Sequence, residues 1–315
     1  VAASNESAAE ATVRSLEDAL RQLPDAQALY ADGMVSRLGA EAAAKAMRNE
    51  PWVEIPPGVV TIDRGAYLSI DETKSDPAAF AAAFFLPADV RAQYHELLSA
   101  VRERLDTANL HAWATGGTLL GSLRHGDMIP WDDDVDLCVR GEPGESANTF
   151  EARLREALGF PFALESAPLF GYKAYSAKPM PASARAGGHC LFGIFVDLFV
   201  MTPMGERSIE RVSSIADGEG TRPLSLAYPA ARETWPLEVW APQDLMPQMH
   251  AQFGPQSMFR LPGGAERYAE RTFGAHWKSS CVIPRAAHGR VLPKELRFSS
   301  TFAKAAEDVA RRPPG

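Results

Sequence analysis

G-G-T-L-L-G-S-L-R-H-G-D-M-I-P-W-D-D-D-V-D, running from Gly116 to Asp136, places a double glycine, a short helical run and an acidic cluster in immediate succession. Asp132, Asp133, Asp134 and Asp136 fall just before the apolar run Leu137-Cys138-Val139. Side chains on a strand alternate, so a strand from Asp134 to Val139 puts Asp134, Asp136 and Cys138 on one face. Two carboxylates that share a face at a strand end repel one another unless a cation neutralises them. A hard divalent ion held by a few carboxylates and by substrate phosphates is the natural solution, with Mg²⁺ first and Mn²⁺ as a substitute. Acidic clusters are also common as solvated loops. Here the apolar run after Asp136, with Pro130 and Trp131 before it, sets the cluster at the edge of a core, where a charge needs a partner.

A second acidic residue stands in an apolar setting, in Phe195-Val196-Asp197-Leu198-Phe199. Either an arginine or backbone amides satisfy Asp197, or it joins Asp134 and Asp136 around the same metal. Ahead of the acidic cluster, Gly116 and Gly117 let the backbone approach a ligand closely. Thr118 is placed to cap the helix that follows, whose start favours an anionic group.

Working outward, the elements alternate. Tyr94, Leu97, Leu98, Val101 and Leu105 give a one-faced helix beginning near Pro87. Leu110 to Thr115 reads as a strand and Thr118 to Arg124 as a helix. Phe150, Leu154 and Leu158 mark another helix, Leu191 to Val200 a strand, Leu237 to Trp240 a further strand and Ala265 to Phe273 a helix. The class is therefore α/β with mixed elements. Residues 1–50 are Ala-rich with helical spacing at Val13, Leu16, Leu20 and Leu23, which suggests a helical hairpin. The expected division is a helical and extended N-terminal region over 1–86, a catalytic domain over 87–290 and a tail over 291–315.

The 315 residues carry 32 basic and 40 acidic side chains, a net charge of −8, which argues against a nucleic-acid backbone binder. Three scattered cysteines make neither a disulfide scaffold nor a structural zinc site, and Cys138 reads as a small core residue. No apolar run is long enough to span a membrane. The chain opens on Val1, so a lumenal secretory-pathway (Golgi) fragment and a bacterial cytoplasmic enzyme both remain open as locations.

Gly116 to Asp136 closely resembles the signature of the LicD family, which includes fukutin-like proteins. Phe195 to Phe199 resembles that family's third-carboxylate strand. Trp235 to Trp240 and Pro262 to Trp277 are looser matches to its C-terminal elements. The resemblance spans roughly residues 90–285. It implies a nucleotidyltransferase-type core, a small mixed sheet flanked by helices with the site at one edge. It also implies an activity, the transfer of a phospho-alcohol from a CDP-activated donor such as CDP-choline or CDP-ribitol to a hydroxyl of a glycan or a small acceptor, with release of CMP. On this reading Asp134, Asp136 and Asp197 hold the metal and are catalytic, and Asp197 is a candidate base for the acceptor hydroxyl. Gly116, Gly117, Thr118, Arg124, His125, Lys173 and Lys178 are the candidate substrate-binding residues. Tyr172 and Tyr175 are candidate stacking groups, and Trp277 and Lys278 candidates for closing over the site. The alternatives are sugar-phosphate or nucleotidyl transfer on the same fold, or a non-catalytic glycan-binding relative.

Overall fold

The computed structural model describes residues 68–167, 170–175, 194–203, 223–235, 237–255, 257–284, 286–287, 290–291 and 295–311. The Ala-rich stretch, Cys190 and Lys178 lie outside the described residues. In chain order the main elements are β1 (Leu68–Ser69), α1 (Pro77–Phe84), α2 (Ala88–Thr107), β2 (Ala112–Ala114), α3 (Gly116–His125), β3 (Asp136–Arg140), α4 (Ala147–Leu158), β4 (Ala163–Ala167), β5 (Gly171–Tyr175) and β6 (Phe195–Pro203). There follow β7 (Leu224–Leu226), α5 (Pro229–Thr234), β8 (Val239–Trp240), α6 (Pro242–Leu245), β9 (Met249–Phe253), β10 (Ser257–Leu261), α7 (Ala265–Phe273) and β11 (Ser280–Ile283). Two short strands, β12 (Ala286–Ala287) and β13 (Arg290–Val291), precede β14 (Leu296–Ser299) and α8 (Ser300–Ala310).

Among the described residues, seven strands form one mixed sheet in the order β2-β3-β6-β5-β4, with β7 on β6 and β8 on β7. Helices flank it, as expected for a mixed α/β fold. The β3–β6 pair is parallel and the other pairs are antiparallel. Strands β3 and β6 lie in the middle of the sheet, and their sequences are correspondingly apolar on both faces. Leu137, Cys138 and Val139 are buried, as are Phe195 to Met201.

Helix α2 buries Val90, Tyr94, Leu97, Leu98, Val101 and Leu105 against β2, β6 and α4, the stripe that the helical spacing predicts. Helix α4 buries Phe150, Leu154 and Leu158 in the same way and is capped by Ser146, whose hydroxyl accepts from the Thr149 N–H. Each buried leucine of these stripes contributes about 1.5–3 kcal/mol.

A second layer joins the two ends of the described chain. Strands β1, β14 and β11 form a three-stranded sheet, and α1 packs on α8. Phe80, Phe298 and Phe302 form its aromatic centre, and Trp131 of the acidic stretch packs on Phe298 with ring centroids 5.1 Å apart. The Trp131 indole N–H donates to the Val282 carbonyl at 3.0 Å. Trp131 is thus a structural anchor.

The strand expected to begin at Asp134 begins at Asp136. Its antiparallel neighbour β2 stops at Ala114, opposite Leu137, and turns into α3, so the β2 ladder ends before it reaches residues 134 and 135. Between α3 and β3 the chain folds back tightly on the helix. A Cβ at Gly121 would lie 2.9 Å from the Ile129 nitrogen, so only glycine allows this approach.

The same loop is held by Asp127, which pairs with Arg91 and, at 2.9 Å, with His95, both on α2. Burial pushes the Asp127 carboxyl up, but His95, Arg91 and the Met128 N–H together bring it below the ordinary aspartate range. A carboxyl lowered on folding stabilises the protein above its unfolded pKa and loses that contribution as pH falls through its folded value. Asp127→Asn is expected to destabilise the protein by about 1–2 kcal/mol near neutral pH, because it leaves the half-buried Arg91 guanidinium without its carboxylate. Urea unfolding should show the gap from wild type closing in acid below the ordinary aspartate range.

Candidate metal centre

The site starts from a register. In the parallel pair of β3 and β6, Asp136 lies opposite Asp197, and on the next strand Lys173 lies opposite Asp197 in turn. One row across three adjacent strands therefore reads Asp136, Asp197, Lys173. Asp134 enters from the extended segment ahead of β3. One carboxylate oxygen from each of Asp134, Asp136 and Asp197 lies within 4.8 Å of the others. Asp134 and Asp136 are half-buried and Asp197 is buried.

The charges in this space are poorly balanced. Burial pushes the carboxyls of Asp134 and Asp136 well above the ordinary range, and repulsion from the neighbouring carboxylates adds to it. Asp132 is pushed up to about 6 by burial, partly offset by a hydrogen bond with Asp134 and by the charge of Arg124. Burial also raises Asp197, opposed by Lys173. The Lys173 ammonium donates to Asp197 Oδ1 at 2.8 Å and lies 3.7 Å from the centre of the Phe195 ring. One lysine does not balance three carboxylates. An all-oxygen donor set with surplus negative charge suits a hard divalent cation.

The double glycine closes the site on one side, and the close approach it permits is to protein carboxylates. Gly116 adopts φ +52°, and a Cβ there would lie 2.7 Å from Asp136 Oδ2. A Cβ on Gly117 would collide with Asp132 Oδ2. Thr118 does not cap α3, contrary to the sequence reading. The cap position is Thr115, and the buried Thr118 hydroxyl accepts from the Asp136 N–H at 2.7 Å.

The candidate cations have other partners. Arg124 donates to the carbonyls of Trp277 and Ser280, each at 3.1 Å, and to His125 Nε2 at 2.9 Å. His125 Nδ1 lies 2.6 Å from Glu307 Oε1. Both side chains fasten the C-terminal segment to α3. Burial lowers the His125 ring from its ordinary range, with Glu307 opposing. Lys173 binds Asp197 directly, and Lys178 lies outside the described residues. Tyr172 is buried, Tyr175 packs on Phe195, Trp277 is buried with its carbonyl on Arg124, and Lys278 pairs with Glu266 at 2.9 Å.

Two residues not singled out from sequence stand behind the double glycine. Buried Glu238 accepts from Thr115 Oγ1 at 2.5 Å and from the Trp240 indole at 2.8 Å through Oε1, and from Tyr268 Oη at 2.5 Å through Oε2. Tyr268 Oη accepts in turn from the Gly116 N–H at 3.1 Å. The signal in sequence was Glu238 between Leu237 and Val239, the same acid-in-apolar setting that drew attention to Asp197. A cavity of about 250 Å³ lies apart from all of this, beyond the far end of β3, lined by Gly141, Ser146, Phe150, Thr202 and Tyr228.

Comparison with known proteins converges on the same stretch. Residues 109–207 match the family model described as LicD/FKTN/FKRP, nucleotidyltransferase domain. The chain is 61% identical over 35 residues to the ribitol 5-phosphate transferase FKRP of Mus musculus, and likewise to that of Homo sapiens. Those alignments cover 11% of this chain and 7% of each relative. An uncharacterized protein of Rickettsia prowazekii is 40% identical over 48 residues, 15% of this chain and 18% of that protein. The chain thus aligns with only a small part of the length of each curated relative. Residues 109–207 of this chain are similar to the LicD/FKTN/FKRP nucleotidyltransferase domain.

Proposed function

We propose that the protein is a divalent-metal-dependent transferase that moves a phospho-alcohol from a CDP-activated donor to a hydroxyl of a glycan or similar acceptor. The observation that carries this reading is the in-register pair Asp136 and Asp197, joined by Asp134 within 4.8 Å, inside the family-matched segment. The ribitol 5-phosphate transferase activity named for the relatives that are 61% identical over 35 residues makes a ribitol-phosphate-type group the first donor to try.

The donor set fits Mg²⁺: three carboxylates, an uncompensated charge and no soft ligand among them. When bound there, the cation would neutralise the diphosphate of the donor and the charge that develops on departing CMP. The chain's own residues do the rest. Gly116 and Thr118 fix Asp136, by packing and by the hydrogen bond to its N–H. Lys173 fixes Asp197 and leaves Oδ2 outside that ion pair. The acceptor oxygen forms a bond to phosphorus, the phosphoanhydride bond breaks, CMP leaves, and the acceptor proton passes to a carboxylate of the cluster.

The decisive experiment incubates the full chain with Mg²⁺, acceptor glycans and CDP-ribitol, CDP-choline or CDP-glycerol in turn, and weighs the products. Gain of a phospho-alcohol with release of CMP is expected. Gain of CMP by the acceptor would instead establish nucleotidyl transfer.

Asp136→Asn separates stability from activity. It should cut turnover on the order of 10²–10³-fold. Because it removes one of several repelling buried carboxylates, it should also raise the melting temperature of the metal-free protein by roughly 2–4 °C, the equivalent of about 1 kcal/mol. Added Mg²⁺ should stabilise the wild type and leave the variant unmoved in the same thermal scan.

A further inference from the structure

The helix behind the metal centre has an N-cap that does not cap. A threonine at this position ordinarily turns its hydroxyl onto the N–H groups of the first turn. Thr115 makes no such bond; its hydroxyl points away from α3 and donates to Glu238. The first N–H of the helix, that of Gly116, goes to Tyr268. The start of α3 is thus held from outside the 109–207 segment, by a glutamate next to β8 and a tyrosine on α7.

Glu238 is a costly residue for this place. It is buried, it forms no ion pair with a described residue, and its charge adds to the repulsion at Asp136. A buried carboxylate is tolerable only when its oxygens are well supplied with donors. Glu238 has four: Thr115, Trp240, Tyr268 and, at 3.4 Å, Cys138. Two of these lie directly beside metal-site residues. Cys138 is two positions along β3 from Asp136, and Thr115 immediately precedes Gly116, donating its own N–H to the Asp136 carbonyl at 3.3 Å. Tyr268 is locked in turn by stacking on Trp240, with ring centroids 4.5 Å apart and planes 8° from parallel. A fully donated network of this kind fixes one geometry where an apolar filling would allow several.

The atoms it fixes are the ones against which Asp136 rests. No side chain fits between Gly116 and the Asp136 carboxylate, since a Cβ there would lie 2.7 Å from Asp136 Oδ2, so the placement of Gly116 bounds the space open to that carboxylate. We propose that Glu238 and Tyr268 are positioning residues for the three-carboxylate centre, holding Thr115 and Gly116 where they set the orientation of the Asp136 carboxylate. The inference rests on the reading of that centre as a metal site. It assigns to the C-terminal elements β8 and α7 a direct part in shaping it.

The test uses the full chain and Mn²⁺ alone, titrated and followed by its electron paramagnetic resonance signal, beside a thermal scan of each variant. Tyr268→Phe removes the acceptor of the Gly116 N–H and a donor to Glu238. Thr115→Val removes the other contact at nearly constant shape, and Thr115→Ser restores the hydroxyl. Leu154→Ala, in the core of α4 and apart from the site, supplies a comparable loss of stability. Tyr268→Phe and Thr115→Val are expected to bind Mn²⁺ about 10–100-fold more weakly. Thr115→Ser and Leu154→Ala should bind like wild type. Folded Tyr268→Phe and Thr115→Val proteins with wild-type affinity would overturn the assignment. Failure of the unaltered chain to bind Mn²⁺ would overturn the metal reading itself, and this inference with it.

Discussion

Like charges placed side by side on neighbouring strands repel, and the register of β3 against β6 puts Asp136 and Asp197 side by side in the interior of a sheet. Nothing in the local backbone calls for acid there. The residues flanking them, Leu137 to Val139 and Leu198 to Met201, are apolar, and a slip of one residue would send each carboxylate to the opposite face. The arrangement is held because the hydrophobic residues around the two aspartates fix that register, so the core supplies the strength and the acids use it. Lys173 on β5 relieves part of the repulsion.

The supports of this centre come from distant parts of the chain. Tyr94 on α2 donates its hydroxyl to the Asp133 carbonyl, Trp131 anchors the acidic run to the β11 and β14 layer, and Glu238 and Tyr268 brace the double glycine from the C-terminal side. Tyr94, Trp131 and Tyr268 meet backbone groups and Glu238 meets the Thr115 hydroxyl, rather than the carboxylate oxygens of Asp134, Asp136 and Asp197. Such a division suits a site whose ligands must be rigid before the substrate arrives.

Much of the frame was legible in sequence because its signals are local. The stripe of Tyr94, Leu97, Leu98, Val101 and Leu105 can be made only by a helix, and an aspartate between Val196 and Leu198 announces a partnered buried charge. The protein partners of Arg124 and His125 were not legible, for the complementary reason. Their partners are the carbonyls of Trp277 and Ser280 and the carboxylate of Glu307, more than 150 positions away, and no local pattern records such a pairing. Thr118 went astray more narrowly. A threonine after two glycines suits a cap, but α3 starts earlier, at Gly116, which puts Thr115 at the cap position and leaves the Thr118 hydroxyl to accept from the Asp136 N–H.

The bonds of Arg124 and His125 have a consequence for how such a segment could be passed between proteins. Both residues sit within the stretch that relatives share, yet they bind carbonyls and a carboxylate contributed by the last 40 residues of the chain. The first is met by backbone, which any sequence can offer, while the second needs an acid at one particular turn of α8. Grafting the 109–207 stretch onto another frame would therefore leave the buried His125 ring without its carboxylate unless α8 came with it.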